Sequence, residues 1–116
     1  TLYARMQNSV QLILRVENGR AGDEGAAMWI EAEIKVPGKL SLAPDIRLNE
    51  GRMRTGIVGS GEALEKPLRI YASAFTDAQR YDCMLTVFAY DKDAVIVQRM
   101  EIPFSVKCEE QKPAVL

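Results

Sequence analysis

The stretch GIVGSGEALEKPLRI, residues 56–70, gathers Gly56, Gly59 and Gly61, with Arg52 and Arg54 just upstream and Lys66 just downstream. Glycines let backbone amides approach a phosphate, and neighbouring cations would hold its charge. A phosphate loop also opens a helix and carries a Lys-Ser/Thr pair or G-x-G-x-x-G spacing. Here the spacing is G-x-x-G-x-G, Pro67 bars a helix early, and Leu68, Ile70, Ala72 and Ala74 alternate with other residues as a strand does. The stretch therefore predicts a turn that feeds a strand, with its glycines supplying positive φ. Arg52, Arg54, Lys66 and Arg69 are then expected on the solvent face of a strand pair, where charge guards an edge against aggregation.

A second group of residues has cation chemistry open to it. Asp23 and Glu24 lie in GRAGDEG, and Asp91 and Asp93 flank Lys92 in DKD. If the two loops share one end of the molecule, these carboxylates would form a calcium site, which needs about six to eight oxygen ligands. Against this, Asp and Gly are what turns use, and Arg20 and Lys92 place positive charge in the same loops. Catalysis finds less support. The chain has no histidine, which removes imidazole acid–base chemistry, histidine-based triads and dyads, and His-containing zinc sites. Cys83 and Cys108 cannot make a zinc site alone. No catalytic residue and no cofactor is expected.

The elements that must position these groups follow from length and pattern. The 116 residues form one domain, long enough to fold without metals or disulfides. Fifteen basic residues against 16 acidic ones leave a net charge of −1, with no basic excess for nucleic acid. No apolar run approaches the roughly 20 residues of a membrane helix, so no membrane insertion is expected. The dominant period is two. VQLILRVE sets Val10, Leu12, Leu14 and Val16 against Gln11, Arg15 and Glu17. AMWIEAEIKV sets Met28, Ile30, Ala32, Ile34 and Val36 against Glu31, Glu33 and Lys35. Strands of this kind, separated by Gly-, Pro- and Asp-rich turns, predict an all-β sandwich or barrel. Residues 109–116 read as a loosely ordered tail.

Residues 81–108 read as a hairpin with Lys92 and Asp93 at its tip. Pairing Asp91 with Ala94 puts Cys83, Leu85, Val87 and Ala89 on one face with Ile96, Met100, Ile102, Phe104 and Val106. In that register Cys83 opposes Ile102 and Cys108 faces Asp77. The cysteines then stand about 20 Å apart along the strands, beyond the roughly 7 Å between Cα atoms that a disulfide allows. Both thiols are expected free, Cys83 buried, as suits a reducing compartment.

FTDAQRYDC, residues 75–83, resembles the approach to strand F of an immunoglobulin-type domain, with Tyr81 two residues before Cys83. GIVGSGEALEKPLRIYAS is similar to the Gly-rich turn into strand E of archaeal and bacterial immunoglobulin-like modules of the CARDB type. VQLILRVEN followed by a Gly-rich loop resembles their strand B. The resemblance implies one immunoglobulin-like antiparallel β-sandwich of about seven strands over residues 1–108. It also implies a cell-surface setting and a role as spacer, adhesion unit or partner-binding unit. Leu12 and Leu14 stand where antibody domains keep a strand-B cysteine, so the fold carries over better than any function.

In such an order the outer face of strands C, F and G carries Met84, Thr86, Phe88 and Tyr90 with Val95, Val97 and Arg99, and Trp29 joins from strand C. So apolar a solvent-facing surface marks an interface, and Trp, Tyr and Arg are its usual anchors. The expectation is a non-catalytic interaction or structural module, acting through this face on a second copy or a protein partner. The alternatives are a calcium-binding module built on Asp23, Glu24, Asp91 and Asp93, or a face covered by the segment TLYARM, with Leu2 and Tyr3, or by the tail.

Overall fold

The alternating runs form strands. The computed structural model, which describes residues 1–19 and 27–111, is all-β and has no helix among them. The strands in chain order are β1 (Leu2–Tyr3), β2 (Asn8–Glu17), β3 (Met28–Lys35), β4 (Leu40–Ser41), β5 (Glu50–Val58), β6 (Ala63–Ala72), β7 (Arg80–Tyr90) and β8 (Ile96–Glu109). The described residues hold eight strands where about seven were expected, and two of them, β1 and β4, are only two residues long, too short to show a period.

One sheet runs β1-β8-β7-β3-β5, the other β2-β6-β4. Every pairing is antiparallel except that of β1 with β8, so the larger sheet is mixed. The inward residues of both sheets share one core: Leu14, Ile70 and Ala72 from the smaller pack with Ala32, Ile34, Leu85 and Val106 from the larger. Met28, Ile30, Val58 and Ala89 form a second cluster. Pro67 sits within β6 opposite Ile13. It is tolerated because β4 covers β6 only at Tyr71 and Ala72, leaving an open edge beside the proline. β5 and β6 are consecutive but belong to different sheets. Arg52 and Arg54 therefore do not share a strand pair with Lys66 and Arg69, as the sequence led us to expect.

The glycine stretch is a turn. The Glu62 N–H donates to the Gly59 carbonyl at 3.0 Å, and the Gly61 N–H donates to the Asn18 carbonyl at 2.8 Å. The Gly59 N–H donates to the Glu62 carboxylate at 3.1 Å, so an anion of the chain's own stands where a phosphate would. Gly56, at φ 131°, lies where the β3–β5 register shifts beside Ile30. Thr55 is the extra residue there, buried, its hydroxyl donating to the Ile30 carbonyl at 3.0 Å.

The β7–β8 hairpin keeps the expected faces from Gln98 onward with a different register, but Ile96, expected on the core face, stands opposite Tyr90 and is exposed. Cys83 opposes Phe104, and Leu85 opposes Ile102. The slip is two residues, with two causes. Ala94 adopts φ 60°, adding a left-handed residue to the turn, and Asp91 accepts the Ala94 amide while its own amide reaches Val95. A bulge between Ala89 and Tyr90 then makes Val97 the unpaired residue. On the β7 side the Cys108 N–H donates to the Gln79 carbonyl, two residues from the expected place opposite Asp77, and on its other edge Cys108 pairs with Leu2 of β1. Both cysteines are free and buried.

Candidate interaction surface

The outer face of the larger sheet assembles from four strands. β3 supplies Trp29, Glu31 and Glu33. Across β7 these face Tyr90, Phe88 and Thr86, and Phe88 faces Arg99 of β8. On the other side of β3, Glu31 opposes Arg54, Glu33 opposes Arg52 and Trp29 opposes Ile57. The residues expected on this face from sequence are therefore largely brought together. Trp29 is 37% exposed, and its ring lies 6.3 Å from that of Tyr90, tilted by 54°. Met84, between Lys35 and Pro103, is half-buried at the far end. Val95 lies in the hairpin turn and Val97 in the bulge, both exposed; Ile96 takes the place opposite Tyr90.

β5 contributes what the sequence reading did not assign to this face. The Arg52 guanidinium lies 4.8 Å from the centroid of the Phe88 ring, and Arg99 covers the same ring at 5.9 Å. Arg54 lies 5.1 Å from the Trp29 centroid. Such stacking contributes about 0.5–1 kcal/mol per pair at exposed sites. Arg52 also donates to the Tyr90 hydroxyl at 2.7 Å and pairs with Glu31 at 3.5 Å. Arg99 pairs with Glu101 at 2.7 Å. Ile57 is 70% exposed on the same face. Its outward position depends on the Thr55–Gly56 bulge, which reverses the parity that puts Arg52 and Arg54 outward. A strict period of two would turn Ile57 to the core. The missed signal was Gly56, inside an otherwise regular strand.

The segment TLYARM does not lie over this face. β1 pairs with β8 at Cys108 and Glu109, and Leu2 enters the core. Asp23 and Glu24 fall outside the described residues. The Asp91 carboxylate accepts the N–H groups of Asp93 and Val95 at 2.9 and 3.0 Å, so it caps its own turn. Among the described residues no cluster of three or more His, Cys, Asp or Glu side chains stands ready for a metal ion.

The Tyr81 hydroxyl accepts the Asp77 N–H at 3.2 Å and donates to the Asp77 carbonyl at 3.0 Å, fastening the corner that leads into β7. Burial raises the Tyr81 hydroxyl above its usual range. Burial likewise pushes the Cys83 thiol up to about 11, with Asp82 adding to the shift. It raises Cys108 too. These thiols are held protonated in the core, unlike reactive cysteines, whose thiolate is stabilised.

No family model, no curated protein and no solved structure matches this chain.

Proposed function

We propose that the chain is an immunoglobulin-like β-sandwich, of the sort found in CARDB-type modules, that binds rather than catalyses. Three features support the fold reading: two sheets around a shared core, the Tyr81 hydroxyl on the Asp77 backbone, and a buried Cys83 two residues later. The module associates through the outer face around Trp29 and Phe88. The observation that carries this is Trp29 itself, part-exposed beside Tyr90 and Ile57, with Arg54 over its ring.

The occupant of the face is a second copy of the chain. A two-fold interface must complement itself. This face sets Arg52, Arg54 and Arg99 beside Glu31, Glu33 and Glu101 along adjacent strands. Arg54 has no carboxylate partner among the described residues, which leaves its donors for a Glu of the facing copy. Sedimentation across a concentration series tests this. Trp29→Ala and Phe88→Asp should each weaken association by about 30-fold or more, as loss of a roughly 2 kcal/mol anchor requires. A wild-type chain that stays monomeric at high concentration, or variants that associate unchanged, would overturn the reading.

A further inference from the structure

Among the described residues both sheets are open along the same side of the molecule. There β8 has β7 on one edge and, on the other, only β1 at Cys108 and Glu109. Among the same residues β2 pairs with β6 alone. Between these free edges runs a groove of about 160 Å³, whose apolar lining includes Leu14, Val16, Ile30, Val87, Met100 and Ile102. Met100 and Ile102 oppose Val87 and Leu85 and so point to the core side, yet they are 47% and 37% exposed. Inward-facing apolar residues this exposed mark a core that lacks a cover.

The covered end of this edge shows what fits it. β1 lies there extended and parallel to β8, and its Leu2 is wholly buried. The Ala4 N–H donates to the Glu109 carbonyl at 2.8 Å, while the Cys108 N–H turns the other way, to the Gln79 carbonyl at 2.9 Å. Alternation along β8 then turns the backbone groups of Arg99, Glu101 and Ser105 toward the open edge, where Pro103 offers a carbonyl alone.

We propose that this edge and groove bind an extended segment of a partner protein. The segment adds parallel to β8 in continuation of β1. Apolar side chains at its alternate positions enter the groove as Leu2 enters the core. Main-chain bonds would supply affinity, and the spacing of apolar side chains specificity. The ion pairs at the rim, Arg15–Glu17 and Arg99–Glu101, are already satisfied within the chain. Recognition therefore calls for an alternating strand that is uncharged over the part lying in the groove. A second copy fits this edge poorly. Two β8 edges paired about a two-fold axis would bring Pro103 and the Val97 bulge into the shared ladder.

Hydrogen exchange on the full chain tests this with a synthetic peptide, Lys-Thr-Val-Thr-Val-Thr-Val-Thr-Lys, and a control with serine in place of valine. At about tenfold excess over its Kd the valine peptide should slow exchange of the Arg99, Glu101 and Ser105 amides by about tenfold. The serine peptide should not. Met100→Asp, at a half-exposed position, should abolish the protection, whereas Trp29→Ala should leave it intact, which separates this site from the outer face. Absence of protection, or equal protection by the serine peptide, would overturn the proposal. So would protection that rises with protein concentration alone, because a second copy would then be the occupant.

Discussion

Tyr81 does two jobs with one hydroxyl, accepting from and donating to the backbone of Asp77. Tyr81→Phe keeps the ring and orphans a backbone N–H and a C=O, so denaturant melts should show a loss of about 1–3 kcal/mol. Cys83 makes a different residue-scale prediction. Its folded thiol titrates at about 11 against an ordinary 9.0. Between those values the unfolded chain has lost the proton that the folded chain keeps. Stability is then full below about pH 9 and falls as pH rises to about 11, by roughly 2–3 kcal/mol at about 1.4 kcal/mol per pH unit. Tyr81 and Cys108, also raised, fall in the same direction. In Cys83→Ala the slope of stability against pH over this window should be shallower than in the parent chain.

At the scale of elements, faces were legible in the sequence and registers were not. Leu14, Ile34, Leu85 and Val106 are buried where a period of two places them. That period survives any slip of two residues, so the faces of the β7–β8 hairpin hold from Gln98 onward although every pairing moved, while Ile96, on the far side of the bulge, changes face. The slip came from Ala94 in a left-handed conformation and from the bulge at Val97, and neither residue type announces such a role. Likewise Arg52 and Arg54 read as solvent-facing charge. That they stack on Phe88 and Trp29 depends on which strand becomes the neighbour of β3, a non-local fact. Gly56 holds the bulge that sends Ile57 outward. Its φ of 131° is one that branched side chains resist. Gly56→Val should therefore cost about 1–3 kcal/mol of stability in a denaturant melt, more than the same change at Gly38, where a Cβ meets open space and φ is ordinary.

At the scale of the molecule, two surfaces stand without a cover among the described residues: the aromatic–arginine face of the larger sheet and the open side between β2 and β8. The first was visible in the sequence as an apolar surplus on the polar side of strands. The second was not, because Met100 and Ile102 read as ordinary core residues until the order of strands showed, among the described residues, only the short β1 beyond β8. Trp29, on the first surface, is the chain's one tryptophan, so its fluorescence reports that surface alone. The direct measurement is iodide quenching of Trp29 across a dilution series that spans dimer and monomer by sedimentation. Association through this face predicts strong protection from iodide at high concentration, lost on dilution with the same midpoint as dissociation. Quenching that stays constant while the dimer dissociates would contradict it, and so would a chain that never dimerises.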